Sequence, residues 1–138
     1  MKLNTDLFRN VLLFLEAQSY YVSNCDGEIE SMPVWFGKIS EHFPNNDQAE
    51  VFYALKNLEQ AGYINLTSCA ADNAVSRCYV NCITFRGHEF IASVRNDDRW
   101  SGIKKALPAI RDYSIQAINA VAQGMTSAAI TAYLQRNP

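Results

Sequence analysis

Leu55-Lys56-Asn57-Leu58-Glu59-Gln60-Ala61-Gly62-Tyr63-Ile64 is the stretch on which the fold turns. Leu55 and Leu58, with Val51 and Phe52 before them, recur at helical spacing. Gly62 stands where such a helix closes, because glycine enters the left-handed region without steric penalty. Tyr63 to Thr67 then reads as a strand, Ser68 to Ser76 as a small polar loop, and Arg77 to Ile83 as the returning strand. Upstream, Pro44-Asn45-Asn46 is a break. Asn46 is expected to cap the helix, with Asp47 and Glu50 in a first turn where the macrodipole favours acids. Helix, strand, loop, strand is the order of the last helix and wing of a winged helix-turn-helix.

Further outward, Thr5 and Asp6 open a first helix whose Leu7, Phe8, Val11, Leu12 and Leu15 share a face; it is expected to end near Gln18. Ser19 to Pro33 reads as a turn or loop, with one short strand around Glu28 to Glu30. Val34 to Phe43 reads as a short helix with Phe36, Ile39 and Phe43 facing inward. Thr84 caps a fourth helix reaching about Val94, and Asn96-Asp97-Asp98 re-caps the chain. Trp100, Ile103 and Leu107 suggest a further short helix ending before Pro108, and Ser114 opens a long last one. The expected fold is mostly α with a small β-hairpin. It comprises a winged helix-turn-helix over residues 1–95 and a C-terminal helical extension over 96–138.

A chain of 138 residues with 49% hydrophobic side chains can bury a core without a metal or disulfide staple. Lys2 is followed by polar Asn4, Thr5 and Asp6, and the apolar run Val11 to Leu15 is too short for a signal core, so the expected address is the cytoplasm. There Cys25, Cys69, Cys78 and Cys82 are expected as reduced thiols. Strand alternation places Cys78, Val80 and Cys82 on one face. A zinc site of Cys69, Cys78, Cys82 and His88 lacks a Cys-x-x-Cys pair, and four strand residues spread two sulfurs by about 13 Å. No metal or cofactor is expected. No phosphate loop, nucleophile elbow or His-Glu-x-x-His spacing appears, so no enzyme is expected.

From Tyr113 to Gln135 no residue is charged, and Ile115, Ile118, Ala122, Met125 and Ala129 repeat at spacings of three and four. Gln116, Asn119, Gln123, Thr126 and Thr131 would lack partners in lipid, so no membrane span is expected. The stripe makes either a homodimer interface or part of the chain's own core, against the first helix.

Thr84-x-x-Gly87-His88-Glu89-Phe90 followed by Arg95-x-Asp97-x-x-Trp100 resembles a family of short bacterial and phage proteins grouped as a domain of unknown function and often encoded in prophages. The resemblance includes Asp6-Leu7-x-Arg9 and the Leu58 to Ile64 junction, and covers most of the chain; Asn24 to Pro44 matches least. It implies a winged-helix fold and a phage or prophage setting, and brings no catalytic residue. Thr84, Gly87, His88, Phe90 and Trp100 are read as structural. His88 is expected to be buried, donating to a backbone carbonyl, and Gly87 to let a helix approach a strand closely.

Two binding classes follow. A transcriptional regulator would meet double-stranded DNA through Asn45, Asn46, Gln48 and Lys56, with Arg77 on the wing. Asp47 and Glu50 would repel phosphate there, and the loop from Ser68 to Ser76 has no Lys or Arg. A second basic cluster, Arg86, Arg95, Arg99, Lys104 and Lys105, offers another nucleic-acid surface with Trp100 and Tyr113 for stacking. The same cations alternatively pair with Glu89, Asp97, Asp98 and the acidic first half. Residues 1–76 hold four basic and ten acidic side chains, and residues 77–138 hold eight and four. The fold favours the regulator, which is the leading expectation for a non-enzymatic regulatory or accessory protein acting by binding. The charge imbalance favours the alternative, a winged-helix module that binds a protein partner, a host factor or defence component, without DNA.

Overall fold

The computed structural model describes residues 1–112 and 114–136. The described chain is mixed α/β, with helices joined to two small antiparallel sheets. It divides into two compact units, Met1–His88 and the remainder from Glu89. The sequence places its boundary at 95/96; the division falls seven residues earlier, inside a helix.

In the first unit, helix α1 (Thr5–Glu16) is capped by Asn4, whose side chain accepts from the Leu7 N–H at 3.1 Å. Leu7, Phe8, Val11, Leu12 and Leu15 are buried along one face. The next segment, expected to hold one strand, forms a hairpin of β1 (Tyr21–Ser23) and β2 (Ile29–Ser31). Asn24 closes its turn by accepting from the Asp26 and Glu28 N–H groups at 3.0 and 2.9 Å, while Gly27 takes φ of 79°. A two-residue strand, β3 (Val34–Trp35), precedes α2 (Phe36–His42), so the expected helix over 34–43 starts two residues late.

Helix α3 is Gln48–Gln60. Asp47, rather than Asn46, occupies its N-cap position and makes no side-chain cap hydrogen bond. Val51, Ala54, Leu55 and Leu58 are buried, and α3 packs against α1. Gly62, at φ of 80°, ends it as expected. The strands that follow are longer than expected. β4 (Ile64–Ala71) and β5 (Ala74–Ile83) meet at Asp72-Asn73, with φ of 51° and 66°. The expected polar loop is thus a two-residue turn, whose paired positive φ angles match the right-handed twist of the strands. Ser, Cys and Ala carry little strand preference, which is why the outer part of the hairpin read as loop.

β3, β5 and β4 form one antiparallel sheet in that order. Two register shifts separate β4 from β5, and both place the extra residue on β5, at Ser76 and Asn81. The second overturns one expectation. Cys78 and Val80 face the core, but the bulge at Asn81 reverses the alternation, so Ile83 is buried and Cys82 is only half-buried. Asn81 Nδ2 fixes the bulge by donating to Asn65 Oδ1 at 3.0 Å and Thr67 Oγ1 at 2.8 Å.

Helix α4 (Phe85–Val94) begins in the first unit. Thr84 Oγ1 accepts from the Gly87 N–H at 3.1 Å and donates to the Gly62 carbonyl at 2.6 Å, so one hydroxyl ties the helix start to the α3–β4 junction. In the second unit, α5 (Asp97–Ile110) is capped by Asn96, which accepts from the Arg99 N–H at 2.9 Å. It buries Trp100, Ile103 and Leu107 and carries Pro108 inside its last turn instead of stopping before it. Arg111, at φ of 55°, terminates it. Ser114 caps α6 (Ile115–Arg136) through its Oγ, which accepts from Ala117 N–H at 3.1 Å. No described helix is long and apolar enough to cross a membrane.

Candidate functional site

The sequence position at which β3 stops creates the most distinct feature of the first unit. Val34 pairs with Val80 and Trp35 with Tyr79. One more strand residue would set Phe36 opposite Cys78, but the chain turns into α2 there. The space alongside the outer half of β5 is left as a cleft of about 500 Å³. Trp35 and Phe36 form one end, Gln48, Ala49 and Phe52 of α3 form a wall, and Val75, Ser76, Arg77 and Cys78 form the strand side. Phe36 and Phe52 meet edge to face at 6.0 Å, and Trp35 lies 4.7 Å from the Tyr79 ring. Trp35 is 51% and Val75 48% exposed, so the lining is apolar surface open to solvent.

Sequence reading missed this surface because Phe36 and Phe52 both fit helical core positions. Each is only half-buried. The available signal was Trp35-Phe36 directly before a short helix, two large aromatic side chains where a single inward residue suffices.

The expected DNA-reading residues fall around the same cleft. Asn45, Gln48 and Arg77 are exposed, and Asn46 is half-buried. Gln48 and Arg77 line the cleft; Lys56 does not join them. Its Nζ is 3.1 Å from Glu59 Oε1, with both side chains about one-third exposed. This pair lies close enough to Cys78 to act on its ionisation. Burial pushes the Cys78 thiol up to about 11; Lys56 pulls it down and Glu59 adds to the rise. Lys56 is therefore engaged along the helix, and the acids Asp47 and Glu50 remain at the start of α3.

A second cleft of about 350 Å³ is lined by Glu16, Tyr20, Tyr21, Cys82, Ile83 and His88 among others. His88 is exposed, which corrects the expectation of a buried imidazole. The close approach belongs to its neighbour: a Cβ on Gly87 would overlap the Tyr63 carbonyl and the Ile83 side chain, so residue 87 is buried and turns the following His88 outward. Tyr20 donates to the Leu15 carbonyl at 2.8 Å, and burial, with Cys82 nearby, pushes its hydroxyl far up. Among the described residues no three His, Cys, Asp or Glu side chains gather as a metal site.

The basic cluster divides between the units. Arg86 belongs to the first, with its guanidinium 5.9 Å from the Tyr63 ring centre. Arg95, Arg99, Lys104 and Lys105 belong to the second. Arg99 is half-buried and donates to Thr126 Oγ1 at 2.8 Å, linking α5 to α6. Phe90 and Trp100 are buried. Tyr113, expected to stack on a nucleic acid, lies outside the described residues.

The stripe on α6 is also divided. Ile118 and Ala122 are fully buried within the chain, Ile115 and Met125 are half-buried, and Ala129 is exposed. The core partner in this unit is α5, where a Cβ on Gly102 would meet the Met125 methyl at 2.8 Å. Ile118 and Ala122 are thus buried inside the chain, so of the two roles open to the stripe these two positions take the core. The large apolar side chains left exposed on α6 are Ile130, Tyr133 and Leu134, further along the helix.

Comparison with known proteins adds kinship without a described activity. The profile of the family described as "Hypothetical protein (DUF2513)" matches residues 2–112. An uncharacterized protein of Haemophilus influenzae is 32% identical over 128 residues, covering 92% of this chain and 97% of the relative. No solved structure matches the chain.

Proposed function

The chain belongs to the family described as hypothetical protein DUF2513, whose description names no activity, and we propose that it is a non-enzymatic regulatory or accessory protein acting by binding, a winged-helix module that takes a protein partner. With the β1–β2 hairpin inserted after α1, the order α1, β3, α2, α3, β4, β5 and the strand arrangement β3-β5-β4 support the winged-helix reading. The aromatic cleft is the observation that favours a protein partner. At the start of α3, beside the hairpin, a DNA reader would present cations. Here Trp35, Phe36, Phe52 and Val75 line a cleft in which Arg77 is the single charged residue. The phage or prophage setting rests on the sequence resemblance; a host factor or defence component is the partner proposed for it.

Affinity capture from lysate of a host cell tests this reading, with the wild-type chain beside Phe52→Asp. Retention of a defined protein by the first and not the second supports it; equal retention, or none, counts against it.

Exposed Asn45, Gln48 and Arg77 favour a second reading, a transcriptional regulator on double-stranded DNA. Fluorescence anisotropy on mixed-sequence duplex at low and then physiological salt decides it. Binding that weakens steeply with salt and is lost in a Gln48→Ala, Arg77→Ala chain would install that reading in place of the first. Lys56→Ala is expected to weaken such binding less than Arg77→Ala, because the ammonium is shared with Glu59.

A further inference from the structure

We infer that the cleft takes an extended peptide segment, which adds antiparallel to β5 as a continuation of β3, and that the segment carries apolar side chains in alternation with an acidic one. The inference rests on the protein-binding reading and specifies its partner.

The backbone supplies the first argument. β5 runs from Ala74 to Ile83, and β4 pairs along its whole length. On the opposite edge, β3 pairs only with Tyr79 and Val80. Among the described residues no strand pairs the β5 edge from Ala74 to Cys78 on that side. A row of unpaired N–H and C=O groups is a template for another strand, and such rows are commonly covered, bulged or charged. This one carries a bulge and one arginine but is left uncovered, facing a cleft of about 500 Å³. The bulge at Ser76 limits the pairing to a short segment beside Val75 to Cys78.

The lining supplies the second. In strand addition, main-chain hydrogen bonds bring affinity and pockets for alternate side chains bring selectivity. Trp35, Phe36 and Phe52 offer an apolar pocket beside the edge, and Val75 extends it toward the turn. Aromatic anchors of this kind dominate binding energy where they become desolvated.

Charge supplies the third. The first unit holds six basic and ten acidic side chains, so an acidic peptide would meet repulsion over most of it. Arg77 is the one charged residue lining the cleft, and it is exposed. A carboxylate beside it gains a charge-assisted hydrogen bond. The local sign is opposite to that of the unit, which directs an acidic residue to this point.

The test is selection of a random displayed heptapeptide library on the full chain, followed by titration of the enriched peptides made synthetically. The expected consensus alternates apolar residues and includes an aspartate or glutamate. Arg77→Glu should weaken these peptides by about tenfold and shift selection toward basic ones. Phe52→Asp should abolish binding, with circular dichroism confirming the fold. N-methylation of the peptide amides supplies a readout independent of any variant: methylating one alternate set should abolish binding while the other set is tolerated. No enrichment, indifference to both substitutions, or tolerance of methylation in both sets would overturn the inference. A dimer of the chain dissociated by Phe52→Asp would overturn it in favour of a second copy. If peptides fail while lysate capture remains sensitive to Phe52→Asp, strand addition falls and the protein-binding reading stands. If capture fails too and duplex DNA binds, that reading falls with it.

Discussion

Gly87 faces the Tyr63 carbonyl so closely that a Cβ at 87 would overlap the oxygen. That same oxygen accepts from the Thr84 N–H at 3.0 Å, so it cannot move away without breaking the junction between β5 and α4. Gly87→Ala is therefore expected to destabilise by about 2–3 kcal/mol, the upper range for inserting one carbon into a closed site. Thr84→Ala removes a cap and a tie to Gly62, and should cost about 1 kcal/mol. Urea unfolding monitored by circular dichroism measures both. A Gly87→Ala loss no greater than that of Thr84→Ala would show that the helix start can shift.

Positions defined by one local requirement were legible in the sequence. Gly62 closes α3, Thr84 caps α4, Ser114 caps α6, and the apolar row of α1 is buried together with Val51, Leu55 and Leu58 of α3. What the sequence concealed depends on events two strands away. A single extra residue, Asn81, turns Cys82 off the face that simple alternation assigns it. The cleft is concealed for a related reason: it exists because β3 stops at Trp35, and no period in the sequence marks that stop. Its aromatic lining then reads as core, since a half-buried phenylalanine and a buried one occupy the same helical positions.

The Asn81 bulge can be tested alone. Its side-chain amide bonds Asn65 and Thr67 across the strand pair. Asn81→Ala is expected to cost about 1 kcal/mol, the net worth of a hydrogen bond after exchange with water. Deleting Asn81 should cost more, because every residue from there to Ala74 would change faces. Chemical denaturation of the two variants compares them; equal losses would mean that the bulge does not set the register.

Alkaline pH should weaken the fold. The Cys78 thiol is pushed from an ordinary 9.0 up to about 11 by burial, and the Tyr20 hydroxyl is raised for the same reason. A raised folded pKa means that the native state holds its proton more tightly than the unfolded chain does. The stabilising contribution of Cys78 is complete below about pH 9 and is lost as pH rises toward 11. Thermal midpoints between pH 8 and 11 should fall, and Cys78→Ala should flatten part of that fall. A flat profile in the wild-type chain would remove the argument.

The two halves of α6 should respond differently to substitution. Ile118 is fully buried, and Ile118→Ala should cost about 2–5 kcal/mol, as truncation of a core isoleucine does. Ile130 and Leu134 lie at 55% and 59% exposure, one helical turn apart. Ile130→Glu with Leu134→Glu should change stability by less than about 0.5 kcal/mol, because neither residue holds the chain's own fold. For a homodimer through α6, Ile130 and Leu134 are the large aliphatic side chains left exposed, since Ile118 and Ala122 are buried inside the chain. Light scattering at high protein concentration is expected to give a dimeric mass for the wild-type chain and a monomeric one for the double variant. A monomeric wild-type mass would remove the dimer. A dimer that survives both glutamates would place its contact away from the end of α6.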